Sequence, residues 1–292
     1  MSSDVLADLS ARIREHPAYA AAARRYVAEY AEWRHRLGVL NKVVANLARL
    51  RVLENLIYLH FLAEDQTASQ GATFERLAEL SGATDDIGAR AVRTLLRLAQ
   101  TAGLVVTGRN PADGRQRVYL PTDAMLQHSR AFTTISIRPL DAVFPDLKIC
   151  ARLEADPAYH RVVVMGLARV YFEIGLKRVP HPQGFGEMMR LEGAAPIFCV
   201  VIDCFRSGRD IPVASEFSRR FFVSQSQARA VLKAAEAAGL ITTAARGHLI
   251  DAEPLARAYS EAHIRFLAFS ALHTFGVAGC SSGKAGALIY TL

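Results

Sequence analysis

The chain has 292 residues, a formal net charge of +7 and a hydrophobic content of 51%. This length predicts two domains, and the apolar content is enough for each to bury a core. The 4 cysteines form no Cys-x-x-Cys pair and no zinc-ligand spacing, and no stretch resembles a signal peptide or could cross a bilayer. These features argue against a protein that is stabilised by a structural metal site, secreted or embedded in a membrane, and they predict a cytoplasmic protein. The basic charge favours polyanionic partners, nucleic acid first, although many basic proteins bind none.

The first half begins with helical patterns separated by polar turns. The spacing of apolar residues predicts four helices, at residues 4–37, 41–64, 74–80 and 85–102. Thr73 is a suitable N-cap for the third helix, and a turn is expected at residues 81–84. Gly103 is placed to end the fourth helix.

The pattern then changes to alternating polarity, which is typical of strands. Strands are predicted at residues 104–107 and 115–120, joined by the turn-rich residues 109–114. A further helix begins after Pro121 and is expected to end near Arg130. Helix, turn, helix and hairpin in this order are typical of a winged helix.

The second half has the same order of elements. Helices are predicted at residues 157–177, 195–205, 212–220, 224–238 and 254–274, and short strands at 240–243 and 248–250. Ser224 is the expected cap of the fourth of these helices, and Gly239 is its expected stop. A Pro/Gly-rich loop over residues 179–186 has no counterpart in the first half, and the final Gly-rich residues are predicted to form a loose tail.

Short stretches of sequence recur at a nearly constant spacing. His16-Pro17-Ala18-Tyr19 is matched 140 residues later by Asp156-Pro157-Ala158-Tyr159, and residues 95–105 are matched 136 residues later. Such an offset indicates an ancient duplication. We therefore predict a mainly α-helical chain with small β-hairpin wings. Its tandem winged helix-turn-helix domains, at residues 1–150 and 151–292, would form a pseudo-twofold arrangement.

Three arginines lie on one side of the long helix in the first half. Arg90, Arg93 and Arg97 fall within a fan of about 60° at about 100° per residue. Their counterparts, displaced by 136 residues, are Ser226, Arg229 and Lys233. Such a face suits a helix in the major groove of DNA, although arginine is also common on solvated faces. The residues predicted nearest the base edges are Thr84, Asp86, Ser224, Gln225 and Gln227.

The tip of the first hairpin contains an Asp-x-Arg sequence. Asp113, Gly114 and Arg115 are followed by an alternating strand that includes Leu120. Here the chain resembles the MarR family of bacterial transcription regulators, which has Asp-x-Arg in the wing and a Leu-Thr-like entry to the next helix. The proline before Thr122 departs from that pattern.

The resemblance implies that Arg115 enters the minor groove and that Asp113 orients the basic residues of the wing. A narrow minor groove concentrates negative potential and attracts a guanidinium group. Arg109 and Arg117 would contact flanking phosphates, whereas the alternative is an ordinary hairpin turn. The second wing lacks Asp-x-Arg and has Arg246 as its only strong cation. It is either a shortened wing or one that has lost DNA contact, so the two half-sites would be read unequally.

Members of this family are usually obligate dimers. The duplication therefore implies a pseudo-dimer within one chain, either as a monomer or as a homodimer. The family often binds small aromatic acids, which makes a small aromatic effector a candidate partner. Aromatic residues at helical spacing are more often core residues, so no ligand is assigned to the candidates Tyr19, Tyr26, Tyr30, Trp33 and Tyr159.

The function expected from these features is a sequence-specific, double-stranded DNA-binding transcription regulator. No enzyme activity, cofactor or metal is expected, because no catalytic or ligand motif stands out in the sequence. The alternative is a non-catalytic protein-association scaffold that is built on winged-helix domains.

Overall fold

The structure is a computed structural model that describes residues 3–65, 71–85, 87–110, 113–169, 185–244 and 248–277. Its first part contains α1 (Ser3–Glu15), α2 (Tyr19–Arg36), α3 (Leu47–Asp65), α4 (Phe74–Asp85), α5 (Ala89–Thr101), β1 (Val105–Arg109), β2 (Arg117–Pro121), α6 (Asp123–Val143) and α7 (Ile149–Ala155). Its second part contains α8 (Pro157–Arg169), α9 (Phe185–Met188), α10 (Ala194–Arg206), α11 (Ala214–Phe221), α12 (Gln225–Ala237), β3 (Thr242–Thr243), β4 (Leu249–Asp251) and α13 (Glu253–His273). The prediction of a mainly helical chain with two small antiparallel hairpins is confirmed.

The order of three helices, a hairpin and a closing helix occurs twice. We call α3 to α6 the first unit and α10 to α13 the second unit. Helices α5 and α12 are both 13 residues long, and the closing helices α6 and α13 are both 21 residues long. The two units therefore match in the length of these helices as well as in element order.

The C-terminal ends of α5 and α12 have the same backbone conformation and the same hydrogen bond. Gly103 and Gly239 are left-handed, with φ of +72° and +67°. The next residue in each unit, Leu104 or Leu240, donates its backbone N–H to a carbonyl five residues back, at 2.9 Å in both cases. Glycine adopts this conformation without the Cβ penalty, so both predicted helix stops are confirmed.

The helices outside the units pack in a reciprocal way. Helix α2 packs against α10 of the second unit and against α6 of the first unit. Helix α8 packs correspondingly against α3 of the first unit and α13 of the second unit. The shorter pair follows the same rule, because α1 contacts α13 and α7 contacts α6. Each unit is therefore held by a helix that precedes the other unit.

Within the part of the chain that the structure describes, three apolar clusters form the core, and each includes residues from more than one helix. One lies inside the first unit and is covered by Val164 and Met165 of α8. A second lies inside the second unit and includes Val27 and Tyr30 of α2. The third joins α1, α6, α7, α8 and α13, and thus connects the two halves of the chain. Burial of apolar surface at these junctions stabilises the arrangement at roughly 25 cal/mol per Å².

The predicted turn at residues 81–84 is wrong, because α4 continues through Asp85. Ser81 is completely buried, and Asn55 donates its side-chain amide to the Ser81 hydroxyl at 3.2 Å. Packing against α3 thus overrides the local turn preference of Ser and Gly. Helix α5 begins at Ala89 after the extended Gly88, rather than near residue 85.

Other predicted boundaries also differ from the structure. Helix α6 does not end near Arg130 but continues across Pro139 to Val143, because Ile137 and Leu140 are fully buried against neighbouring helices. The first helical stretch is divided at Pro17, which lacks the N–H that a continuous helix requires. Helix α3 follows a 3₁₀ turn, Gly38–Lys42, and so starts later than predicted.

In the second half, the predicted loop over residues 179–186 is helical at its end, because α9 begins at Phe185. The buried Phe185 ring packs on Phe198 and Tyr259. Helix α8 is described only to Arg169, and residues 179–184 and the Gly-rich tail lie outside the described residues.

Candidate nucleic-acid interface

Helix α5 has one apolar face and one cationic face. Val92, Leu95, Leu96 and Ala99 are buried in the first unit. The repeat of these residues every three or four positions places the remaining side chains on the outer side of the helix. Helix α5 contains no Asp or Glu, so its outer face carries only positive charge.

The three predicted arginines of α5 are exposed. No carboxylate in the described parts of the chain pairs with Arg90, Arg93 or Arg97, although Arg93 lies over the ring of Phe74 at 4.4 Å. Many other surface arginines form ion pairs, namely Arg14 with Glu261, Arg25 with Glu29, Arg36 with Glu32, Arg49 with Glu192, Arg161 with Glu64 and Arg209 with Asp203. The α5 face is therefore a concentration of charge that the described part of the protein does not neutralise.

Two predicted contacts near the start of α5 have a different position. Thr84 lies in the last turn of α4, not at the start of α5, since α4 extends further than the sequence suggested. Asp86 lies outside the described residues. Gly88 precedes α5 with an extended backbone, and because glycine has no side chain it cannot cap the helix.

The first hairpin places two more arginines together. The register of β1 and β2 sets Arg109 directly opposite Arg117, and both side chains are exposed. Like charges that face each other across two strands destabilise the pair. An anion that binds between Arg109 and Arg117 would remove this repulsion. Arg115, at the tip, is also exposed and has no carboxylate partner among the residues described.

The hairpin tip is held by its own polar groups. The Asp113 carboxylate accepts a hydrogen bond from the backbone N–H of Arg115 at 3.0 Å. Asn110 is buried, and it donates its backbone N–H to the Gln116 carbonyl at 2.9 Å and its side-chain amide to the Gln116 side chain at 3.0 Å. Asp113 thus acts on the backbone that carries Arg115. Asn110 was missed in the sequence, where its turn propensity was the only signal.

The segment before α4 adds a third backbone contact to the hairpin. Thr73 forms an antiparallel bridge with Val118 of β2, and Tyr119 donates its backbone N–H to the Ala72 carbonyl at 2.9 Å. Thr73 also accepts the N–H of Arg76 and caps α4, as predicted. The hairpin and α4 are therefore fixed to each other.

The matching helix α12 begins with a capping box. Ser224 accepts the backbone N–H of Gln227 at 3.1 Å, and the Gln227 side chain accepts the backbone N–H of Ser224 at 2.7 Å. The Gln227 amide also donates to Glu192. The predicted cap at Ser224 is confirmed. The Gln227 amide is already bonded within the protein, so it is not available for a base edge without breaking these bonds.

The outer face of α12 is less basic than that of α5. Ser226, Arg229 and Lys233 are exposed, as is Gln225, whose side-chain oxygen accepts a hydrogen bond from Arg229 at 3.1 Å. Arg246, the predicted cation of the second wing, lies outside the described residues.

The aromatic candidates for an effector site are mainly core residues. Tyr19, Tyr30 and Tyr159 are buried, and Tyr26 stacks on His263 with ring centroids 3.9 Å apart. Trp33 instead lines a mainly apolar cleft between α2, α3 and α6, with a volume of about 480 Å³ that includes space open to solvent. The five aromatics therefore do not form one site.

Protein-family profiles, curated proteins and solved structures were compared with the chain, and none of them matches it. The resemblance to the MarR family therefore stays a prediction. Among the described residues, no helix combines the length and apolar character that a membrane span requires.

Proposed function

We propose that the chain is a sequence-specific, double-stranded DNA-binding transcription regulator, formed by two winged helix-turn-helix units. The observation that carries this proposal is the set of exposed arginines without carboxylate partners in the described chain, on α5 and the first hairpin: Arg90, Arg93, Arg97, Arg109, Arg115 and Arg117. Arginine side chains in such a set bind phosphates and base edges.

The order of elements supports the winged-helix assignment. In each unit two helices precede the helix with the cationic face, and a hairpin and a closing helix follow it. In the first unit the Thr73 bridge adds the third strand-like segment beside the hairpin. A helix-turn-helix of this kind inserts its second, recognition helix into the major groove, while the hairpin reaches an adjacent groove.

The reciprocal packing supports one duplex as the target. Helix α2 joins the N-terminal part of the chain to α10, and α8 joins the second half to α3. This exchange of helices between the two units supports the predicted pseudo-twofold arrangement. The helices α5 and α12 would then enter successive major grooves, about one helical turn apart.

The charge distribution supports unequal contributions from the two units. The first unit has three arginines on α5 and three on its hairpin, whereas α12 presents Arg229 and Lys233 beside uncharged Ser226. The first unit would supply most of the electrostatic attraction, because each neutralised phosphate releases a counterion.

Selection from genomic fragments followed by gel shifts tests the proposal. Purified protein is mixed with random genomic fragments, bound fragments are sequenced, and the best one is compared with bulk DNA at two salt concentrations. We expect the best fragment to bind roughly 1,000-fold more tightly than bulk DNA, or better, with an affinity that falls as salt rises. If no fragment exceeds bulk DNA and binding does not depend on salt, a protein-association scaffold is the better explanation.

A further inference from the structure

One arginine on α5 is held in a way that its neighbours are not. The Arg93 guanidinium lies over the Phe74 ring, with Cζ 4.4 Å from the ring centroid, while the Arg93 side chain remains exposed. Arg90 and Arg97, on the same face, have no such ring beneath them among the described residues. Arg93 is therefore the arginine of this face whose guanidinium rests on an aromatic ring in the described structure.

The segment that carries Phe74 is held by the hairpin, and the half-buried Phe74 side chain packs against the core of the first unit. Phe74 is the first residue of α4, directly after Thr73, which is 3% exposed and bridges Val118 of the wing strand. Thr73 also caps α4 by accepting the Arg76 N–H at 3.3 Å. A continuous set of contacts thus runs from the hairpin through Phe74 to Arg93.

The second unit holds the matching arginine by other means. Arg229, displaced by 136 residues from Arg93, donates to the Gln225 side chain at 3.1 Å. Helix α11, which matches α4, has Ala214 as its first residue where α4 has Phe74. The ring beneath Arg93 is therefore a feature of the first unit and not of the shared fold.

A guanidinium over a ring keeps its N–H edge available for hydrogen bonds. The ring attracts the cation, and the restrained group loses less side-chain entropy when it binds. Its planar fork matches the two acceptors O6 and N7 on the major-groove edge of guanine. An exposed arginine without such a ring is better suited to phosphate, which accepts hydrogen bonds from many directions.

We propose that Arg93 is the specificity-determining residue of the first unit and reads a guanine, with Phe74 as its positioning residue and with Arg90 and Arg97 on phosphates. This inference rests on the DNA-binding function proposed above.

The test compares Arg93→Lys with the matched control Arg97→Lys. Both variants keep the charge, so the salt dependence of binding to bulk DNA stays unchanged in both. We expect Arg93→Lys to reduce the affinity ratio between the selected fragment and bulk DNA roughly 5- to 150-fold, and Arg97→Lys to leave it within about twofold. Equal losses in the two variants, or no loss for Arg93→Lys, would overturn the assignment.

Phe74 is tested by Phe74→Leu and Phe74→Tyr. We expect Phe74→Leu to lower the selectivity ratio about two- to fivefold without changing the salt dependence, and Phe74→Tyr to restore it, because tyrosine keeps the ring. Thermal unfolding of each variant identifies a loss that comes from misfolding. Selectivity in folded Phe74→Leu equal to that of wild type would refute the positioning role.

The two proposals fail in different ways. Wild-type protein that selects a fragment, together with Arg93→Lys that keeps the full selectivity, would overturn the role of Arg93 while the proposed function stands. Wild-type protein that selects no fragment over bulk DNA, or does not bind duplex DNA at low salt, would overturn the proposed function itself.

Discussion

The salt dependence of the proposed DNA binding should fall when Arg90 and Arg97 of α5 are removed. Arg90 and Arg97 are exposed and have no carboxylate partner in the described chain, so Arg90→Ala/Arg97→Ala would remove the two proposed phosphate contacts without exposing a buried charge. Each contact contributes about 0.9 to the slope of log K against log salt, so the slope should become shallower by about 1.8. Between 50 and 200 mM salt, the affinity of the double variant should therefore fall roughly 12-fold less than that of wild type.

The chain offers a control with the same net charge. Arg25→Ala/Arg36→Ala removes two arginines of α2 that already pair with Glu29 and Glu32. If only net charge mattered, this variant would change the slope by the same amount. Fluorescence anisotropy titrations at four salt concentrations measure both slopes. Equal slopes for the two double variants would refute the interpretation of α5 as the contact surface.

Two further predictions concern stability. Burial lowers the pKa of His263 to about 4. The stability that the neutral His263 contributes is therefore complete above its ordinary pKa of 6.5 and is lost as the pH falls towards 4. As the pH falls from 6.5 to 4, the free energy of unfolding measured with urea should decrease by roughly 3 kcal/mol less in His263→Gln than in wild type. Equal decreases would contradict a buried, neutral His263. Gly103→Ala and Gly239→Ala should each lower the free energy of unfolding by about 1 kcal/mol through backbone strain alone, because an added Cβ would meet no atom within 4 Å at either position. A loss at one glycine and not at the other would argue against equivalent helix ends.

Local signals in the sequence were sufficient to predict helix ends at which a backbone group forms its hydrogen bond with a residue close by in the chain. Ser224 caps α12, Thr73 caps α4, and Gly103 and Gly239 end their helices, as the sequence predicted. These features depend on a few adjacent residues, so no knowledge of the tertiary structure was needed.

Features that depend on distant contacts were not predictable in the same way. The continuation of α4 through Ser81 depends on Asn55, which lies 26 residues earlier. The contact between Phe74 and Arg93 requires α4 and α5 to pack first, and neither residue type signals it in isolation. The reciprocal placement of α2 and α8 has no local signal in the sequence, although the repeated sequence predicted a pseudo-twofold arrangement.

The central claim is that both units of one chain contact one duplex. Hydroxyl-radical footprinting on the selected fragment, at saturating protein, tests it most directly. We expect two protected patches with centres about 10 base pairs apart, one of which is weakened in Arg229→Ala/Lys233→Ala and the other in Arg90→Ala/Arg97→Ala. A single protected patch that the Arg229/Lys233 variant leaves unchanged would contradict the account.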